Sequence, residues 1–343
     1  MTARSPYLVS RSYDWLFFLL PPVLALGVGI AISGTAFANA AIGLGDPGTT
    51  GAGLLIGIVI HAHLVAVAFR SHGNPSVFRR HPVRFLLVPA ALWAALMISE
   101  WVAVAATIVA TFWDVWHSGA QTFGFARIYD RNAGVPPTRD RALDFWVSQV
   151  LYAGPILAGA TLLDHVEVFD EMAEFDDPLA IFLTAIPVHA AGNRGALAWT
   201  VIAIGTALVL AYVAVSVRRA RRGEPISRLK IWLVASTGVC SIYTWGLNSW
   251  GEAFFIMNLF HAVQYLALVW WSERDRIAAW LRLRGTRGRP LALLFFLATT
   301  LAYGCAAELV DPGLHAMWSL TMVVSLMHFW YDAFIWSVRK SDV

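Results

Sequence analysis

The chain has 343 residues and a mass of 37.7 kDa; 58% of its residues are hydrophobic and 14% charged, against the roughly 25% charged of soluble domains. With a mean hydropathy of +0.61, 16 Trp and 20 Phe, this composition cannot cover a soluble surface and implies an all-α, polytopic integral membrane helical bundle. The pI near 9.0 suits loops beside an anionic leaflet rather than a phosphate-binding groove, so nucleic acid is excluded as a partner. Two cysteines, Cys240 and Cys305, lie in apolar stretches and offer neither a disulfide framework nor a zinc ribbon.

Apolar segments of membrane length fall at 13–34, 51–69, 83–98, 101–126, 143–163, 196–217, 230–249, 253–273, 290–308 and 314–337. The run 83–126 divides near Ser99–Glu100–Trp101, because the positive-inside rule then holds. With both termini cytoplasmic, every Lys and Arg except Arg194 is on the inner side. Arg4 and Arg11 precede the first span, and Arg70, Arg79, Arg80 and Arg84 separate the second from the third. Further inner groups run from Arg127 to Arg141, from Arg218 to Lys230 and from Arg274 to Arg289, the last including Arg284 and Arg287; Arg339 and Lys340 close the chain. The expectation is a single integral membrane domain over residues 1–343, with about ten transmembrane helices, in a bacterial inner membrane.

Two segments need separate reading. Arg4, Arg11, an apolar run and Ala36-Phe37-Ala38 imitate a signal peptide; the length of the run and Pro21-Pro22 favour an uncleaved first helix, kinked there. The longest outer loop, 164–195, opens Asp164-His165-Val166-Glu167 and continues through Asp170, Glu171, Glu174, Asp176 and Asp177. It reads as a solvated acidic loop rather than a cation site, with a short amphipathic or re-entrant piece at Leu179–Pro187.

Histidine carries the functional information. His61, His63, His117, His261 and His328 lie about seven to thirteen residues before the first basic residue that ends their spans, which is roughly 10–20 Å above the inner boundary. The second, fourth, eighth and tenth spans therefore bring imidazoles to one mid-membrane layer. Ionisable groups at that depth are costly unless they face a bundle interior. A single intramembrane histidine is more often a helix-to-helix hydrogen bond; four at one depth point to a metal or cofactor.

Polar companions share their faces. Asp114 and Gln121 flank His117 at i−3 and i+4; Asn258, Gln264 and Tyr265 flank His261; Ser325 and Asp332 flank His328. Such groups can hold the second nitrogen of a metal-bound imidazole. His61 and His63 are about 200° apart on a helix, so only one can join the cluster. His61 is the first choice, because it continues the small-residue face of Gly53 and Gly57, with His63 in reserve. The metal-ligand candidates are thus His61 or His63, His117, His261 and His328. Asp332, Asp114 and Tyr265 are candidate catalytic groups, and Gln121, Gln264 and Asn258 candidate cofactor-binding groups. Asp332 is expected to accept a hydrogen bond from an imidazole rather than to ligate. His72 and His81 belong to an inner loop, where His72 could cap the site; His165, His189 and His315 lie outside. Glu252, Glu308 and Asp311 read as interfacial.

Imidazoles with nearby carboxylates suit iron or zinc. A buried apolar site favours a lipophilic substrate, a fatty acyl or isoprenoid chain, oxidised by non-haem iron and dioxygen with an electron-donor protein as partner. The His-Xaa3-Asp at His328–Asp332 and the scatter of single histidines over membrane helices resemble the carotene-cleaving dioxygenases of the Brp/Blh type and, more broadly, histidine-rich non-haem iron membrane oxygenases. That resemblance implies a helical membrane protein whose histidines hold a non-haem iron near the membrane interior. Two other classes remain: a subunit holding haem b between facing histidines, and a transporter or assembly subunit using Asp114 and Asp332.

Overall fold

A computed structural model describes residues 5–44, 48–283, 288–310 and 314–336. Arg4, Arg284, Arg287, Asp311, Arg339 and Lys340 lie outside the described residues. Among the described residues there is no β-strand, only an isolated bridge between Ala41 and Thr50. Ten longer helices among the described residues carry the architecture: α1 (Pro21–Ile32), α2 (Gly51–Ser71), α3 (Pro82–Ile98), α4 (Glu100–Asn132), α5 (Arg141–Ala158), α6 (Ile186–Arg221), α7 (Arg228–Leu247), α8 (Trp250–Trp280), α9 (Gly288–Leu309) and α10 (His315–Ile335). Each coincides with one of the apolar segments read from the sequence.

Among the described residues, four stretches are long and apolar enough to cross a membrane: Gly51–Ser71, Pro178–Arg221, Trp250–Trp280 and Gly288–Leu309. Two bent pairs, Arg11–Leu19 with Pro21–Ile32 and Arg141–Ala158 with Leu162–Glu174, raise the number to six if each is one span. Large apolar side chains point outward along these helices; Trp199 is 74% and Leu294 63% exposed. Bare apolar faces of this kind suit a hydrocarbon solvent.

Local chemistry explains the breaks. The first segment bends by 49° at Leu20, where a π-turn, Trp15–Leu19, meets Pro21, which has no amide hydrogen to continue the ladder. The segment 164–195, expected as an outer loop, is more ordered than an acidic loop would be. A 3₁₀-helix, Glu167–Glu174, buries Phe169 and Met172 and leaves Asp170 and Glu171 outside. The expected short piece is the helix Pro178–Thr184, whose first turn is capped by Asp177 accepting from the Leu179 amide at 2.8 Å. Helix α6 already begins at Ile186, so the loop ends ten residues early.

The chain divides into two compact units, Met1–Ala31 with Thr111–Met257, and Ile32–Ala110 with Asn258–Val343. In the first, α5 packs against α6 and α7. Ser241 of α7 donates to the Tyr152 carbonyl at 3.1 Å, and Ala126, Val147, Tyr212 and Val234 form a core. A buried charge lattice joins the basic ends of three helices. Arg127 contacts Asp130 at 2.7 Å and Asp144 at 2.5 Å, while Lys230 contacts the same two carboxylates at 2.9 and 3.0 Å. All four side chains are almost wholly buried, and two cations balance two anions.

In the second unit, α2 packs against α9 and α10, and α10 against α3. Gly304 sets the α2–α9 spacing. A Cβ there would collide with the Ile58 backbone, so glycine is what lets the two helices approach.

Candidate metal centre

Three buried histidines converge in the second unit. His63 of α2, His261 of α8 and His328 of α10 are 1%, 1% and 0% exposed. One ring nitrogen from each lies within 4.8 Å of the others. The rings of His63 and His261 are 5.1 Å apart at 88°, and those of His63 and His328 are 5.0 Å apart at 80°. In both of these pairs, edges therefore meet faces.

The His328 tautomer follows from its neighbour. Its Nδ1 is 3.1 Å from the Leu64 carbonyl; a carbonyl only accepts, so Nδ1 carries the hydrogen and Nε2 the lone pair. Asp332 lies on that Nε2 side, with Oδ2 at 3.8 Å. Its other oxygen, Oδ1, accepts from the Tyr265 hydroxyl at 2.8 Å and the Trp336 indole at 2.9 Å. The rear nitrogen of His328 is thus held by a backbone carbonyl and not by Asp332, whose carboxylate stands beside the other ring nitrogen.

The choice between His61 and His63 is reversed. His61 Nε2 is 3.3 Å from Glu308 Oε1 on α9, with both side chains partly exposed. The glycine face that pointed to His61 is the surface against which α9 packs: a Cβ on Gly57 would strike the Glu308 carboxylate. Small residues here allow helix approach, so the imidazole in line with them meets α9. His63, on the opposite face, meets His261 and His328. Glu308 is correspondingly paired with His61 rather than merely interfacial.

The other candidates can be placed individually. Tyr265 is buried, its ring 4.5 Å from that of His328 and 5.9 Å from that of His63. Asn258 and Gln264 are buried on α8 with His261. His117, Asp114 and Gln121 lie on the part of α4 that belongs to the first unit, where His117 is buried. His72 is tied locally, through Nδ1 to the Ser71 hydroxyl at 2.8 Å and through Nε2 to the Phe85 carbonyl at 3.0 Å. His165 gives its Nδ1 hydrogen to the Thr161 carbonyl at 2.8 Å and packs edge-on against Trp245 and Trp250, not among the acidic residues. Sequence reading missed the Leu64 carbonyl and Trp336. The spacing of Trp336 at i+4 from Asp332 was the available signal for the second.

Three converging imidazoles form a donor set that suits iron or zinc. Comparison with known proteins adds no family: no protein-family model, no curated protein and no solved structure matches the chain.

Proposed function

We propose that this chain is an integral membrane metalloprotein, a non-haem iron oxidoreductase acting on a fatty acyl or isoprenoid substrate. His63, His261 and His328 would hold the ion, and Asp332 would stand beside it. The observation that carries this reading is the convergence of three wholly buried imidazoles from three helices, each with a nitrogen within 4.8 Å of the others. Buried polar groups at such a density are costly unless something binds them together. A b-type haem uses two axial imidazoles, whereas three meet here, which favours an ion.

Iron bound at this site would supply redox chemistry towards dioxygen. The residues themselves do simpler things. The Leu64 carbonyl fixes the His328 ring in one tautomer, and Tyr265 and Trp336 anchor one oxygen of Asp332. Burial excludes bulk water, and the surrounding apolar helices suit a substrate that arrives through lipid. The reading includes about ten spans with both termini cytoplasmic in a bacterial inner membrane, and an electron-donor protein as partner. Metal analysis and an absorption spectrum of the detergent-purified protein test it. One iron per chain without a Soret band is expected; a Soret band, or no stoichiometric iron after reconstitution with iron, would overturn it.

A further inference from the structure

Beneath the three histidines the same three helices meet a second time. Arg70 on α2 follows His63 by seven residues, two turns further along one face. Its Nη1 is 2.7 Å from Oε1 of Glu273 on α8, a carboxylate with no exposed surface. Glu273 also receives Arg276 and, at 3.4 Å, the Asn74 amide. The Arg70 guanidinium lies over the Trp336 ring, 4.6 Å from its centroid, and Nη2 reaches the Ile335 carbonyl at 3.4 Å.

Trp336 stands just past the last turn of α10, with φ −109° and ψ 71°. The helix therefore does not fix its indole; the guanidinium against its face does. That indole donates to Asp332 Oδ1 beside the Tyr265 hydroxyl. Two donors on one carboxylate oxygen make charge-assisted bonds and turn the other oxygen, Oδ2, towards His328 Nε2.

We infer that Trp336, mounted on the Arg70–Glu273 ion pair and assisted by Tyr265, is a positioning residue that holds the Asp332 carboxylate beside His328 at a divalent-ion site formed by His63, His261 and His328. The inference rests on the metal reading above. It adds that the carboxylate next to the site is oriented by a second polar layer on the same three helices.

The test uses the full-length protein in detergent, with zinc affinity measured by chelator competition and cobalt(II) visible absorption as a coordination probe. Trp336→Phe keeps the ring over Arg70 and removes only the indole hydrogen; Tyr265→Phe removes the other donor. Each should weaken zinc binding by about 10–100-fold and change the cobalt bands, with helix content unchanged. Asp332→Ala should alter the cobalt spectrum in the same direction and further. Should Trp336→Phe fail to fold, Tyr265→Phe and Asp332→Ala carry the decision. Wild-type affinity and an unchanged cobalt spectrum in the folded variants, with binding lost in His63→Ala, would overturn the positioning role and leave the metal reading standing. Undiminished zinc binding in His63→Ala would overturn the metal reading itself.

Discussion

The Nδ1 of His328 donates to the backbone carbonyl of Leu64 across 3.1 Å. Leu64 is the residue after His63, so α2 supplies both one imidazole of the cluster and the group that orients another. The Leu64 carbonyl lies inside a regular helix and has a second lone pair for this bond. Sliding α2 along α10 would disturb two members of the cluster together, and this ties site geometry to helix packing.

His61 and His63 should behave oppositely despite standing two residues apart. His61→Gln loses a partly exposed pair with Glu308, which contributes at most about 1 kcal/mol, and should keep full metal content. His63→Gln should empty the site. Metal content measured on both purified variants checks this; metal loss in His61→Gln alone would move the site to the α2–α9 face.

The two glycines at the α2–α9 contact should differ in their tolerance of a methyl group. At Gly304 the added carbon meets the backbone of Ile58, which cannot move without separating the helices. At Gly57 it meets the end of the Glu308 side chain, which can swing aside. Gly304→Ala should cost about 1–3 kcal/mol and Gly57→Ala distinctly less. Thermal unfolding in detergent would show the order, and equal losses would contradict the close approach.

Charge removal should be expensive in the buried lattice and cheap at its rim. Asp144 is bound by Arg127 and Lys230, all nearly wholly buried, so Asp144→Asn leaves two cations sharing one carboxylate. Its cost should be about 3–5 kcal/mol. Arg139→Ala breaks a partly exposed pair with Glu224 and should cost no more than about 1 kcal/mol. Similar melting temperatures for the two variants would refute the contrast.

The proposed topology has its own check. Reporter fusions after Arg222 should be read as cytoplasmic and fusions near Asp176 as external, because the basic residues then remain inside. A cytoplasmic signal at Asp176 would require a different number of spans.

Much of this architecture was readable from hydropathy and charge, since apolar runs bounded by arginine can form little but helices in lipid. The histidines were readable because ionisable groups inside apolar runs are rare enough to stand out. Helix-face assignment was not. Gly57 and His61 share a stripe, and the sequence does not say whether a small-residue stripe admits a neighbouring helix or lines a site. Here Glu308 of α9 stands against Gly57 and His61, and the imidazole on the opposite face, His63, takes the inner position. The orientation of His328 was hidden differently. It depends on the Leu64 carbonyl, and backbone acceptors leave no mark in a sequence. The helical order of 167–174 was missed because its acidic residues outweigh Phe169 and Met172, the two that bury.

The central claim is a three-imidazole ion site, and X-ray absorption of the metal-loaded protein addresses it most directly. The account predicts first-shell nitrogen and oxygen scatterers at about 2.0–2.2 Å, with the outer-shell pattern of three imidazole rings, and loss of one ring's contribution in His261→Ala. A bound metal whose spectrum carries no imidazole pattern, or one unchanged by His261→Ala, would contradict it.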